Sequence, residues 1–177
     1  PTAEAYDRKA NEVSSLQYFS KLITQVLDIE ELSETITDIT TKVSNADAAW
    51  IVIKENGDRK ILANKNIALV DADLINQFLL ESGICENITE TKICSLQKFG
   101  NKSQLSEKFG SLAISPLRSY NDIKGYLIAA RKNELIFYDE DKTAINTFSD
   151  YASVAIENSL LLEQSIEKER LEKELDV

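Results

Sequence analysis

At 177 residues the chain suits one globular domain with a self-supporting core. A hydrophobic share of 43% beside 28% charged residues is ordinary globular composition and excludes disorder over the whole length. A formal charge of −10 at pH 7 speaks against nucleic acid as a partner, because binding to polyphosphate depends on basic patches.

No apolar run reaches the roughly 18 residues that would span a bilayer, and the N-terminal PTAEAYDRKANEVSS lacks the apolar core of a signal peptide. Direct membrane insertion is not expected, and a cytoplasmic setting is. Cys85 and Cys94 are too few for a disulfide scaffold, their spacing is not that of a metal site, and no histidine exists to complete one. The same absence removes histidine triads, histidine general bases and a histidine ligand to haem. Ser115 beside Pro116 and Arg118 has no evident activating base, so neither a catalytic residue nor a metal is expected, and the cofactor is left unknown. Methionine is absent at position 1 as elsewhere, which suggests a processed form or a piece of a longer protein.

Residues 11–27, NEVSSLQYFSKLITQVL, space Val13, Leu16, Phe19, Ile23, Val26 and Leu27 as an amphipathic helix does. Asp28 followed by Glu31 predicts a capped helix start, and a second helix over about 29–44 carries the stripe Leu32, Ile36, Ile39 and Val43. AAWIVIKENGDRKILAN then changes to strand chemistry, with Asn56 and Gly57 able to supply the tight turn of a hairpin. Residues 70–81 return to helical spacing through Leu74, Ile75, Phe78 and Leu79, with Gly83 as a stop. Between Cys85 and Gly110 a short strand is predicted near 86–89, followed by an irregular loop or short helix.

SLAISPLRSYNDIKGYLIAARK reads as an antiparallel hairpin around the polar turn SYND, with Pro116 at a strand end or edge. Gly125 marks a bulge or a close approach. From Asp139 to Val177 the pattern is helical, about 58 Å of helix if unbroken. Its apolar stripe runs through Phe148, Ala152, Ala155, Ser159 and Leu162, then loses register between Ile166 and Leu171. Acidic residues Asp139 to Asp141 suit the positive end of that helix.

LSETITDITTKVSNADAAWIVI, the 111–132 hairpin and FYDEDKTAINTFSDYASVAIENSLLL, in this order, resemble the GAF domain family of small-molecule sensor and signalling modules. The resemblance covers residues 18–162, leaving 1–17 as an N-terminal linker or helix start and 163–177 as a C-terminal helical linker. It implies an α+β fold: a central antiparallel sheet of about five or six strands, terminal helices on one face and a ligand cavity on the other, walled by residues 71–110. The cyclic-nucleotide members are similar at Asn101, Lys102 and Phe109, but the acidic pair expected at 113 and 114 is Ala-Ile here. Bilin attachment relies on a cysteine with histidine nearby, and there is no histidine. The end SIEKERLEKELDV resembles the linker before a PP2C-type phosphatase output domain in bacterial regulators.

The resemblance implies a regulatory sensor that passes ligand-dependent changes through its terminal helices to an output domain outside the chain. Ligand-binding candidates are Trp50, Phe78, Phe99, Phe109, Ser115, Arg118 and Tyr126. A homodimer is expected, with interface candidates Leu16, Phe19, Ile23, Ala155, Ser159, Leu162 and Ile166. The alternative is a ligand-free dimerisation or protein-interaction spacer, its cavity filled by aromatic side chains.

Overall fold

The computed structural model describes residues 28–99, 108–119, 122–132 and 135–176, together with Ala3 and Gln17; at 98 and 99 only the backbone is described. The helix expected over 11–27, with Leu16, Phe19 and Ile23, lies outside the described residues, as do Asn101, Lys102 and the Tyr120–Asn121 centre of the SYND turn.

Helix α1 (Ile29–Val43) starts where Asp28 accepts the Glu31 amide at 2.9 Å, which satisfies one of the free donors of the first turn. It buries Leu32, Ile36, Ile39 and Val43, the stripe that the spacing predicted. Strands β1 (Ala48–Glu55) and β2 (Asp58–Lys65) form the expected hairpin. Asn56 (φ 50°) and Gly57 (φ 82°) take its two left-handed turn positions. Helix α2 (Leu69–Ser82) ends at Gly83, whose φ of 72° is cheap only for glycine. It buries Ala72, Ile75 and Leu79, whereas Leu74, expected in the stripe, is exposed.

The short strand expected near 86–89 is not there. Strand β3 is Lys92–Ser95, followed by a 3-10 turn at Leu96–Phe99. Its place is fixed by pairing with Ser111–Ile114 of β4 (Phe109–Ser119), a distant partner that local pattern does not reveal. Strand β5 (Asp122–Lys132) completes an all-antiparallel sheet in the order β2-β1-β5-β4-β3. Pro116 sits inside β4, beyond Ile114, the last residue that β3 pairs, so β4 is an edge strand there, as proline tolerates.

Alternation along the strands divides two layers. Ile51, Ile53, Leu117 and Leu127 face α1 and the long helix α3 (Asp139–Leu175). Trp50, Val52, Leu112, Ile114, Tyr126 and Ile128 face α2 and the segment from Cys85 to Leu96. A buried ion pair closes one end: Arg131 donates to Asp141 at 3.2 and 3.3 Å, stacks over Phe137 at 4.2 Å, and donates to the Ile136 carbonyl at 2.7 Å. Asp141 also accepts the Tyr138 amide at 2.8 Å, so the acidic start of α3 serves cap and ion pair together.

α3 runs 37 residues without a break, about 55 Å. Its first half packs on the sheet through Ile145, Phe148, Ala152, Ala155 and Ile156; after Leu160 every described residue is exposed.

Candidate functional site

The face opposite α1 and α3 carries most of the ligand candidates. Trp50, Phe109 and Tyr126 belong to its apolar cluster, and Phe78 packs against them partly buried. Trp50 is 0% exposed, and its Nε1 donates to Asn76 Oδ1 at 2.9 Å. The Tyr126 hydroxyl donates to the Cys85 carbonyl at 3.2 Å. Large side chains therefore fill the middle of this face, and among the described residues no buried side-chain polar atom lacks a partner. Space opens at one end instead. A cavity of about 540 Å³ lies between the C-terminal end of α2, the turn at Gly83–Asn87, the base of β5 and the β1–β2 hairpin. Lys54, Arg59, Cys85, Glu86, Asp122 and Tyr126 line it.

Register brings the two cations together. Lys54 and Arg59 are direct cross-strand partners, so both project to the same side of the hairpin. Lys54 Nζ lies 5.3 Å and Arg59 Cζ 6.0 Å from the centre of the Tyr126 ring, at the outer reach of a cation–π contact. Neither makes an ion pair or a side-chain hydrogen bond among the described residues. Asp122 meets Lys124 instead, at 3.4 Å. Burial pushes the Cys85 thiol up, against the opposing pull of Arg59, Lys54 and Lys92, so it stays protonated at neutral pH. The cavity thus offers two cations, carboxylates and a neutral thiol, groups suited to binding and orienting a polar ligand.

Ser115 and Arg118 are placed elsewhere. Ser115 is buried on the helix side, where it meets Thr91 Oγ1 at 2.8 Å and donates to Ser149 Oγ at 2.6 Å. Asn146 Oδ1 accepts the Thr91 amide at 2.7 Å. Past the end of β3, the Arg118 amide donates to Ser153 Oγ at 3.0 Å, Ser119 Oγ to Glu157 Oε1 at 2.5 Å, and the Arg118 guanidinium to the Ile88 carbonyl at 2.9 Å. Asn146, Ser149, Ser153 and Glu157 recur at helical spacing along one face of α3. They form a polar seam that joins the Ile88–Thr91 wall, the free edge of β4 and α3. Arg118, Ser119, Ser153 and Glu157 also line a second cavity of about 510 Å³ over Leu117, Ile156 and Leu160. The side chain of Phe99 lies outside the description.

Of the interface candidates on α3, Ala155 and Ser159 are buried within the chain, whereas Leu162 and Ile166 are exposed together with Val154, Leu161, Leu171 and Leu175. Among the described residues no group of three or more His, Cys, Asp or Glu is placed to hold a metal ion, and no helix is long and apolar enough to cross a membrane.

Lys54, Arg59, Cys85 and Glu86 were not among the sequence candidates. One signal was present: Lys54 continues the Trp50, Val52 alternation and so shares their face.

No protein-family model matches the chain, and no curated protein matches it. Solved structures do. The GAF domain ascribed to a sensor histidine kinase of Pseudomonas syringae pv. tomato is 13% identical with a TM-score of 0.69, over 91% of this chain and 97% of that one. The GAF domain of a phosphoenolpyruvate-protein phosphotransferase from Coxiella burnetii is 13% identical with a TM-score of 0.68, over 88% and 98%. The phycoerythrobilin-bound GAF domain of a cyanobacterial phytochrome is 14% identical with a TM-score of 0.63, over 85% and 96%. At such identities the likeness is one of fold: the chain has the α+β GAF architecture, with the sheet and long C-terminal helix described above.

Proposed function

We propose that the chain is a non-catalytic regulatory module of a signalling protein: it takes a small molecule at the cavity beside Tyr126 and passes the response along α3 to an output domain outside the chain. The observation that carries this reading is continuity. The Cys85–Asn87 wall of the cavity leads directly into Ile88 and Thr91, which are hydrogen-bonded to Arg118 and Asn146, and Asn146 is part of α3. A ligand that binds two positions of that wall unequally shifts their populations, and the seam carries the difference to the helix. The fold's sensor neighbours support the same class. Residues 18–162 are proposed as the sensing body and 163–177 as the linker of a homodimer, and the linker's likeness to those before PP2C-type phosphatases suggests such an output.

A ligand-free spacer is the second reading, favoured by the fully buried and hydrogen-bonded Trp50 at the centre of the face. Native mass spectrometry of protein gently purified from its source cells separates the two. A retained small molecule whose loss changes amide exchange at residues 85–91 and along α3 supports sensing. Protein that is repeatedly free of any small molecule, with the same exchange pattern in every preparation, leaves the spacer.

A further inference from the structure

Lys54 and Arg59 stand opposite each other on paired strands, an arrangement in which like charges destabilise a sheet. The chain as a whole is strongly acidic, at −10, yet supplies neither cation with an ion-pairing carboxylate among the described residues. The acids at the cavity do not fill that role: Asp122 is turned to Lys124, and Glu86 pairs with neither cation. The Tyr126 ring sits within 5.3 and 6.0 Å of the two, positioning both at the cavity without neutralising either.

We propose that this cavity is an oxyanion site, taking the carboxylate or phosphate head of a small ligand between the Lys54 ammonium and the Arg59 guanidinium; this rests on the sensor reading above and gives its ligand a chemical class. The guanidinium offers a planar fork of donors that matches two oxygens of either group, and the ammonium adds a point charge. The bound anion relieves the repulsion across the hairpin. Glu86 opposes it, which selects against ligands with anionic groups spread over their whole length.

The test is a two-dimensional NMR titration of the full chain at low ionic strength with inorganic phosphate and, separately, with succinate, using sodium chloride as the control. At least one oxyanion is expected to give saturable shifts at the amides of Lys54, Arg59 and Glu86. Arg59→Gln and Lys54→Gln should each weaken that binding roughly tenfold, and Glu86→Gln should tighten it. Lys60→Gln should leave it unchanged, since Lys60 pairs with Ile53 and faces the other layer. Whichever anion binds identifies the head group. No saturable shift with either, shifts reproduced by chloride, or equal weakening by Lys60→Gln would overturn the proposal. Should a neutral or cationic molecule retained from the source cells move those amides where the oxyanions do not, the oxyanion class falls and the sensor reading survives. If nothing retained or added moves them, both fall.

Discussion

At Gly125 the backbone of β5 lies so close to β1 that a side chain has no room: a Cβ there would stand 2.1 Å from the Val52 carbonyl oxygen and 2.9 Å from the Ile53 Cα. Both neighbours are backbone and cannot rotate aside. Gly125→Ala should therefore lower stability by about 3 kcal/mol or more, read from the urea midpoint, by forcing apart two central strands; an unaltered midpoint would contradict the close approach. The sequence marked this glycine as a bulge or a contact point, and it is both: the β4–β5 register slips between Leu117–Gly125 and Arg118–Ile123, and the β1 backbone lies against it. Single residues were less legible where their meaning depends on a distant partner. Ser115 and Ile114 are neighbours on a strand and must face opposite layers, but only pairing shows that Ser115 takes the helix side. Lys54 and Arg59 look like ordinary hairpin charges until the turn sets them opposite each other.

At the scale of elements, local pattern located α1, α2, α3 and both hairpins, because each has a turn or a periodic stripe contained within its own residues. It misplaced β3, where Lys92, Ile93, Cys94 and Ser95 carry little alternation and pairing with β4 decides the boundary. It read α3 as one helix whose apolar stripe loses register only after Ile166. A division is plain in the burial: the turns up to Leu160 are packed on the sheet, and the rest is solvated. Shortening the chain after Gln164 should therefore leave the thermal midpoint of the body within about 2 °C, as expected where no buried contact is lost. A larger fall would mean that the distal turns support the body.

For the molecule as a whole, the outstanding surface is the exposed apolar edge of Leu161, Leu162, Ile166, Leu171 and Leu175. Paired charges such as Arg170 with Glu167, at 2.7 Å, favour the helix but add only about 0.2–0.5 kcal/mol each, too little to keep a solvated rod helical unaided. In the proposed homodimer a second copy would supply the missing packing. Analytical ultracentrifugation of the intact chain should show a monomer–dimer equilibrium that disappears in the chain shortened after Gln164. A monomer persisting to high micromolar concentration would exclude this role for the edge.

Ser159 is the last buried residue of α3, and the helix continues unbroken to Leu175. Those sixteen further residues make a lever of about 24 Å, so a tilt of only about 5° at its root sweeps the tip by roughly 2 Å. Lifting the root away bodily would strip the uncovered margin of β4 of its serine partners. Under the proposed signalling role, a pivot at that root that keeps those bonds would turn a small disturbance beside the sheet into a longer stroke at the far end.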